Sequence, residues 1–265
     1  MKKYVAVTGA SGGMGAACVK RLCDDGYTVI ALDRRECEAS EDIIPIRVDV
    51  TSDDSVREAA ARVAKLTDKL YAIVHFAGVY RLDSLVECES EKFIGSFDVN
   101  LFGVYRINRE FLPLLGGGSR IIITTSELAP LDPLPFTGIY AITKSALDKY
   151  AYSLRMELQL LGITVTVLRP GAVATDMLGV STSELDCFIE NTRLYSCNAK
   201  RFKEIVEGVE ARNIPPERVA ALVERVLEKR RPRQVYSINR NPLLLLLSLL
   251  PKRLQTYIIK LVLKP

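Results

Sequence analysis

The sequence predicts one α/β domain with a parallel β-sheet, and two observations lead to this fold class. Short runs of apolar, β-branched residues, the first at residues 4–8, alternate with longer segments of helical periodicity. A glycine-rich turn joins the first run to the first helix. Such alternation gives parallel strands with right-handed crossovers and helices on both faces of the sheet. With 265 residues, 48% of them hydrophobic, the chain can bury one core of this size.

Charge and cysteine usage exclude several functions. A net charge of +4 is too small for a nucleic-acid-binding protein, so we expect no nucleic-acid partner. The six cysteines lack a Cys-x-x-Cys spacing, and His75 is the only histidine. This composition predicts free thiols in a reducing cytoplasm and no metal site. No apolar signal region precedes the first strand, which also favours a cytoplasmic protein.

The first strand, residues 4–8, runs directly into a turn with four glycines and then into an alanine-rich helix that ends at Asp24. In this context glycines let the backbone approach a pyrophosphate, whose charge lies at the helix N-terminus. The pattern therefore predicts a dinucleotide site in a doubly wound, Rossmann-type sheet of about seven strands. The residues expected to contact the cofactor here are Gly9, Ser11, Gly13, Met14 and Gly15.

The second strand, residues 28–32, leads to Asp33, about twenty residues after the glycine turn. A carboxylate in this position accepts hydrogen bonds from the ribose hydroxyls of the adenosine half and repels a 2′-phosphate. It therefore favours NAD as the cofactor. The guanidinium groups of Arg34 and Arg35 could neutralise such a phosphate, so NADP is the alternative.

Further functional positions are expected at the carboxyl ends of the next strands, where ligands bind in a parallel sheet. The third strand covers residues 43–48 and the fourth residues 71–76, with His75 interpreted as a core histidine. A carboxylate after the third strand could hydrogen bond the adenine. The positions that follow these two strands are Asp49, Val50, Ala77 and Gly78.

Four polar residues follow in the second half of the predicted sheet. Asn100 lies midway along a predicted helix, residues 89–115, and Ser126 follows a fifth strand, residues 120–125. Tyr140 and Lys144 are four residues apart at the start of a predicted helix, so their side chains share one face. A neighbouring ammonium group would lower the tyrosine pKa from about 10 and make the pair a proton-transfer site.

These motifs resemble the short-chain dehydrogenase/reductase family over residues 3–175, because they occur together in one order. They are Thr8-Gly9-x-x-x-Gly13-x-Gly15, Asp49, Ala77-Gly78, Asn100, Ser126, Tyr140-x-x-x-Lys144 and Arg169-Pro170-Gly171-x-x-x-Thr175.

The resemblance implies a role for each matching residue. Tyr140 would be the general acid/base, and Lys144 would hold the nicotinamide ribose and lower the tyrosine pKa. Ser126 would hydrogen bond the reacting oxygen, and Asn100 would hold a water molecule for proton return. The cofactor contacts implied for the second half of the chain are those of Tyr140, Lys144, Pro170, Gly171, Val173 and Thr175.

Three positions depart from the usual pattern of the family. Phe76 stands where an asparagine usually precedes Ala-Gly, so the end of the fourth strand must be held in another way. Ser126 lies fourteen residues before Tyr140, one more than the commonest interval. We expect the proline-containing loop between them to absorb the extra residue. Gly12 occupies the place of the Arg or Lys often associated with NADP, which again favours NAD.

The last third of the chain is expected to cover the substrate. Residues 176–213 take the place of a helical lid, with an ordinary surface insertion as the other interpretation. Residues 241–265 follow the domain, residues 1–240, and contain a leucine run too short to span a bilayer. This extension either packs over the substrate cleft or makes peripheral contact with a membrane. Its basic residues are Lys252, Arg253, Lys260 and Lys264.

The function expected from this resemblance is NAD-dependent interconversion of a secondary alcohol and a ketone on a lipophilic, steroid- or retinoid-like substrate. Basic, apolar extensions and long lids resemble those of hydroxysteroid and retinol dehydrogenases. The alternatives are reduction of a 3-oxoacyl thioester and a non-catalytic dinucleotide-binding sensor or scaffold. The family resemblance also implies a homo-oligomer.

Overall fold

The computed structural model describes residues 2–264, apart from the side chains of residues 178 and 180–182. Seven strands are present in this range: β1 (Tyr4–Thr8), β2 (Thr28–Asp33), β3 (Ile43–Arg47), β4 (Leu70–His75), β5 (Arg120–Thr124), β6 (Thr164–Pro170) and β7 (Val235–Ile238). They form one parallel sheet in the order β3-β2-β1-β4-β5-β6-β7, which confirms the predicted fold class. The order reverses between β1 and β4, the position at which such a sheet opens its ligand crevice.

Helices cover both faces of the sheet. They are α1 (Gly13–Asp24), α2 (Asp53–Ala64), α3 (Ser90–Phe97), α4 (Gly103–Phe111), α5 (Gly138–Leu158), α6 (Asp176–Asn191), α7 (Ser196–Glu210), α8 (Pro216–Glu228), α9 (Pro242–Ser248) and α10 (Lys252–Leu263). Val5 and Val7 of β1 pack with α1 and α8, whereas Ala6 packs with α2 and α4. Because successive strand side chains point to opposite faces, strands covered on both sides are apolar throughout.

The predicted helix over residues 89–115 is not continuous. A single π-helical turn, Asp98–Phe102, separates α3 from α4, and a 3₁₀ turn follows at Leu112–Leu114. After the π turn the helix passes so close to Val50 that a Cβ on Gly103 would lie 2.8 Å from Val50 Cγ2. A π turn inserts one residue into the helical ladder, a feature that hydrophobic periodicity does not reveal.

The predicted lid is helical and consists of α6 and α7. Its aromatic anchor is Phe136, whose ring centroid lies 5.0 Å from that of Phe188 and 5.4 Å from those of Tyr195 and Phe202. Phe136 has a φ of 64°, in the left-handed region that non-glycine residues rarely adopt. This conformation lies in the loop before α5, where the extra residue between Ser126 and Tyr140 was expected to be absorbed.

The C-terminal extension, residues 241–265, is called the tail. Its helix α10 packs on α7, and Ile259 and Leu263 join the apolar cluster of the lid. Leu244 of α9 lines the cleft beside the lid. The tail therefore packs over the cleft, as one of its two interpretations predicted. Within residues 2–264, none of the helices has both the length and the apolar character that a membrane crossing requires.

Candidate active site

The carboxyl end of β5 and the first turns of α5 bring Ser126, Tyr140 and Lys144 together. The Lys144 Nζ lies 5.7 Å from the centroid of the Tyr140 ring and donates to the Thr124 carbonyl at 3.2 Å. The Ser126 and Tyr140 side chains are hydrogen bonded. The three predicted residues thus form one cluster, because four-residue spacing aligns the pair on α5 and the strand end supplies the serine.

Asn100 lies next to this cluster, in the π turn. Its Oδ1 accepts from the Val79 N–H at 2.8 Å, and its Nδ2 donates to the Val79 carbonyl at 3.0 Å and to Thr143 Oγ1 at 3.0 Å. A Cβ built on Gly78 would lie 3.1 Å from Asn100 Oδ1 and 3.5 Å from Lys144 Nζ, so the three residues are close neighbours. These bonds fix the strand end that precedes the cleft, and the predicted role in holding a water molecule stays a prediction.

The predicted lowering of the Tyr140 pKa is wrong for the protein without cofactor. Burial raises the pKa of Tyr140 to about 12, and the Glu127 carboxylate adds to this rise, while the hydrogen bond with Ser126 opposes it. Burial also lowers the pKa of Lys144 from 10.5 to about 8. The low-dielectric surroundings disfavour the charged form of both groups, and this outweighs their mutual attraction. The phenol is therefore a proton donor at neutral pH.

The glycine turn has the geometry of an anion cradle. Gly9 has a φ of 68°, and a Cβ on it would lie 2.6 Å from the Ala77 nitrogen. A Cβ on Gly15 would lie 2.0 Å from the Gly9 carbonyl oxygen, and one on Gly13 would lie 2.6 Å from Thr175 Cγ2. The N-cap of α1, Gly12, provides no side-chain acceptor for the first N–H groups of the helix. These N–H groups can donate hydrogen bonds to a pyrophosphate.

Asp33 holds this turn in place. Its Oδ2 accepts from the Ser11 N–H at 3.0 Å and its Oδ1 from the Arg35 N–H at 2.9 Å. The Arg35 guanidinium in turn donates to Ser11 Oγ at 3.0 Å. The hydrogen bonds and the nearby guanidinium lower the pKa of the Asp33 carboxyl despite its partial burial. A carboxylate and a guanidinium therefore stand side by side where the adenosine ribose is expected.

The remaining predicted cofactor residues lie along the same edge of the sheet. Asp49 Oδ1 accepts from the Thr51 N–H at 2.9 Å and from its hydroxyl at 2.7 Å, which lowers the Asp49 pKa. The Ala77 N–H donates to Thr8 Oγ1 at 3.3 Å, and this bond helps to hold the strand end where Phe76 replaces asparagine. The predicted residues that line the cleft are Met14, Gly78, Pro170, Gly171, Val173 and Thr175.

His75 lies in the core, as predicted. It is buried, and its Nε2 lies 2.9 Å from Asn108 Oδ1. Burial lowers the His75 pKa to about 4, so the imidazole is neutral at physiological pH.

The cleft beyond these residues is large and mainly apolar. It contains about 1130 Å³ of space, part of which is open solvent. Its outer wall combines side chains from the segment before α5, the lid and the tail. These are Leu134, Met177, Phe202, Ile205, Val209 and Leu244.

Sequence reasoning missed two residues of this cleft. Tyr80 packs edge-on against Tyr140, with ring centroids 4.5 Å apart. Glu127 is buried, and its Oε2 accepts from the Asn241 N–H at 2.6 Å, so it joins the active-site strand to the tail. A charged residue directly after the predicted Ser126 was the available signal, because a carboxylate at a buried strand end needs a donor. Its partner, more than one hundred residues away, was not predictable.

Comparison with known proteins shows to which family the chain is similar. Residues 3–186 match a family model described as short chain dehydrogenase. Estradiol 17-beta-dehydrogenase 2 of Mus musculus is 33% identical over 192 residues, which cover 67% of this chain and 50% of that protein. The match thus spans about half the length of the mouse protein. The uncharacterized oxidoreductase YbbO of Escherichia coli K12 is 30% identical over 246 residues, which cover 90% and 86% of the two chains.

The fold is also that of a solved structure. A short chain dehydrogenase from Burkholderia cenocepacia J2315 in complex with NADP gives a TM-score of 0.75 at 21% identity, over 100% of this chain and 98% of that chain. The family model and the sequence relatives show the family, and the solved structure shows the same fold. The chain belongs to the short-chain dehydrogenase family.

Proposed function

We propose that the protein is an NAD-dependent oxidoreductase that interconverts a secondary alcohol and a ketone on a lipophilic substrate. The observation that carries the proposal is the position of the Ser126, Tyr140 and Lys144 cluster at the bottom of an apolar cleft. A bound nicotinamide cofactor supplies the hydride exchange. Tyr140 gives a proton to the carbonyl oxygen or takes one from the alcohol, and Ser126 orients that oxygen.

The other polar residues would hold the cofactor and return the proton to the active site. Lys144, fixed by the Thr124 carbonyl, would hold the ribose next to the nicotinamide and supply positive charge beside the phenol. Asn100 would hold a water molecule that returns the proton from solvent. The glycine turn and the first N–H groups of α1 would hold the pyrophosphate. Lid and tail would exclude water from the reacting atoms.

The adenosine end of the cleft supports NAD more than NADP. The Asp33 carboxylate is already ionised and fixed by two N–H groups, so it is preorganised to accept hydrogen bonds from ribose hydroxyls. A 2′-phosphate would meet the same carboxylate and would have to displace the bond between Arg35 and Ser11. We therefore expect a lower KM for NAD than for NADP.

A substrate panel tests this function. We expect reduced nicotinamide to appear with hydroxysteroids or retinol and NAD, with kcat/KM at least about ten-fold above that for 2-propanol, because the apolar wall contributes binding energy. Ketones should react in the reverse direction. Turnover restricted to 3-oxoacyl thioesters would favour the thioester reductase instead. Cofactor binding by fluorescence without any turnover would identify a dinucleotide sensor.

A homodimer formed through α4 and α5 is proposed as the assembly. Four apolar side chains are exposed on these helices and the π turn before them: Phe102, Tyr105, Tyr152 and Met156. An apolar face of this kind, repeated by a two-fold axis, can cover itself. Light scattering should give twice the chain mass of 29.4 kDa at micromolar concentration, and a value of one chain mass would contradict the proposal.

A further inference from the structure

The inner face of the tail is fixed to the catalytic domain at both ends. The Asn241 N–H donates to Glu127 Oε2 at 2.6 Å, and Asn198 of α7 donates to the Leu263 carbonyl at 2.5 Å. Between these points Leu244 lines the cleft. The inner face of the tail therefore lines and closes the cleft. The opposite face of α9 and α10 points away from the cleft.

The outer face of the tail is unusually apolar for a surface. Leu249, between the two helices, is 80% exposed, although leucine is normally among the most buried residues. The other exposed apolar residues are spaced three and four residues apart, which places them in one stripe on each helix. The exposed members are Leu243, Leu246 and Leu249 around α9, and Leu254, Tyr257 and Leu261 on α10.

Positive charge accompanies this apolar stripe. Residues 241–265 contain four basic residues and no acidic residue. Lys252 forms an ion pair with Asp132, whereas within residues 2–264 no ion pair involves Arg253, Lys260 or Lys264. Arg253 and Lys260 lie seven residues apart, on one side of α10 and next to the apolar stripe, and Lys264 directly follows the helix. An apolar stripe flanked by free cations is typical of a helix that lies in a membrane interface.

The positive charge of the tail determines which partner is complementary to its outer face. A second copy of the chain related by a two-fold axis would bring this patch against itself, and its free cations would meet with nothing to neutralise them. A layer of anionic headgroups above an apolar interior complements both the cations and the leucines. Leu244 and Leu243 are adjacent residues of α9, one lining the cleft and the other exposed, so the cleft wall and the apolar surface are continuous.

We propose that the outer face of the tail docks on a lipid bilayer with anionic headgroups, and that the substrate enters the cleft past α9. Only the entry of substrate rests on the proposed function, since docking needs neither cofactor nor turnover. The inner contacts through Glu127 and Asn198 hold the tail in the orientation that presents its leucines to the lipid.

Sedimentation with vesicles tests the docking. The full chain should bind vesicles of phosphatidylcholine with phosphatidylserine and should stay in solution with phosphatidylcholine alone. Each cation near an anionic surface contributes a factor of about five, so R253Q, K260Q and K264Q together should weaken binding roughly 100-fold. Replacement of Leu243, Leu246 and Leu249 by serine should weaken it at least about ten-fold.

Matched variants on other surfaces serve as controls. R230Q, R231Q and R233Q remove three exposed cations before β7, and L160S and L161S remove two exposed leucines after α5. Both sets should leave vesicle binding unchanged. Equal loss in these controls, equal binding to neutral vesicles, or no binding at all would overturn the proposal. So would serine variants that change the oligomeric state, because a second copy would then cover this face. Failure of the wild-type chain to bind any vesicle, with turnover retained in the substrate panel, would refute the docking and leave the proposed function intact.

Discussion

Tyr140→Phe is expected to lower kcat by about 10²–10⁴-fold for both alcohol oxidation and ketone reduction. The substitution removes the hydroxyl that hydrogen bonds with Ser126 and leaves the ring in contact with Tyr80. Because the cleft keeps its shape, the dissociation constant for NAD should change by less than about three-fold, a shift well below one tenfold step in affinity. Steady-state kinetics and cofactor fluorescence measure these two quantities.

The proton chemistry gives this prediction a pH signature. The pKa of Tyr140 is raised to about 12, so the phenol is protonated at neutral pH and serves as an acid. Ketone reduction should be independent of pH across the neutral range, whereas alcohol oxidation should rise with pH as the base form is populated. Tyr152→Phe on the exposed side of the same helix is the matched control and should retain wild-type rates. More than about a tenth of the wild-type kcat in Tyr140→Phe would exclude the tyrosine as proton carrier.

Lys144→Met is expected to inactivate the enzyme and to stabilise the fold. Burial lowers the pKa of this lysine from 10.5 to about 8, which corresponds to roughly 3 kcal/mol of destabilisation while it is charged. Methionine has a similar length and removes that charge. Loss of the hydrogen bond to the Thr124 carbonyl offsets about 1 kcal/mol. Urea unfolding at pH 7 should therefore show a gain of about 2 kcal/mol in the free energy of unfolding.

The gain should depend on pH. Between pH 8 and 10.5 the unfolded wild-type chain binds a proton that the folded chain does not, so wild-type stability rises with pH in this window. The difference between Lys144→Met and the wild type should therefore be largest below pH 8 and shrink towards pH 10. Lys149→Met, an exposed lysine of the same helix, should change stability by less than about 0.5 kcal/mol. If Lys144→Met instead destabilises the protein by the same amount at every pH, the buried charge does not destabilise the wild-type fold.

The local sequence pattern was sufficient to predict the sheet, the glycine turn and the Tyr140–Lys144 pair. An alternating strand and helix order needs only neighbouring residues to be recognised, and a four-residue spacing fixes a shared helical face wherever the helix lies. The end of β5 could be identified for the same reason, and Ser126 lies there as expected. The roles of these residues and the cofactor choice are predictions that the experiments above address.

The other features of the site and the tail depend on contacts between distant parts of the chain. The π turn that presents Asn100 depends on close packing between Gly103 and Val50, and the position of the tail depends on Glu127 accepting from the Asn241 N–H. Local pattern in the amino-acid sequence was enough to place residues at the strand ends and on the helix face. The weak acidity of Tyr140 in the free protein follows from the folded cleft, because burial arises only on folding and opposes charge more strongly than one neighbouring ammonium group favours it.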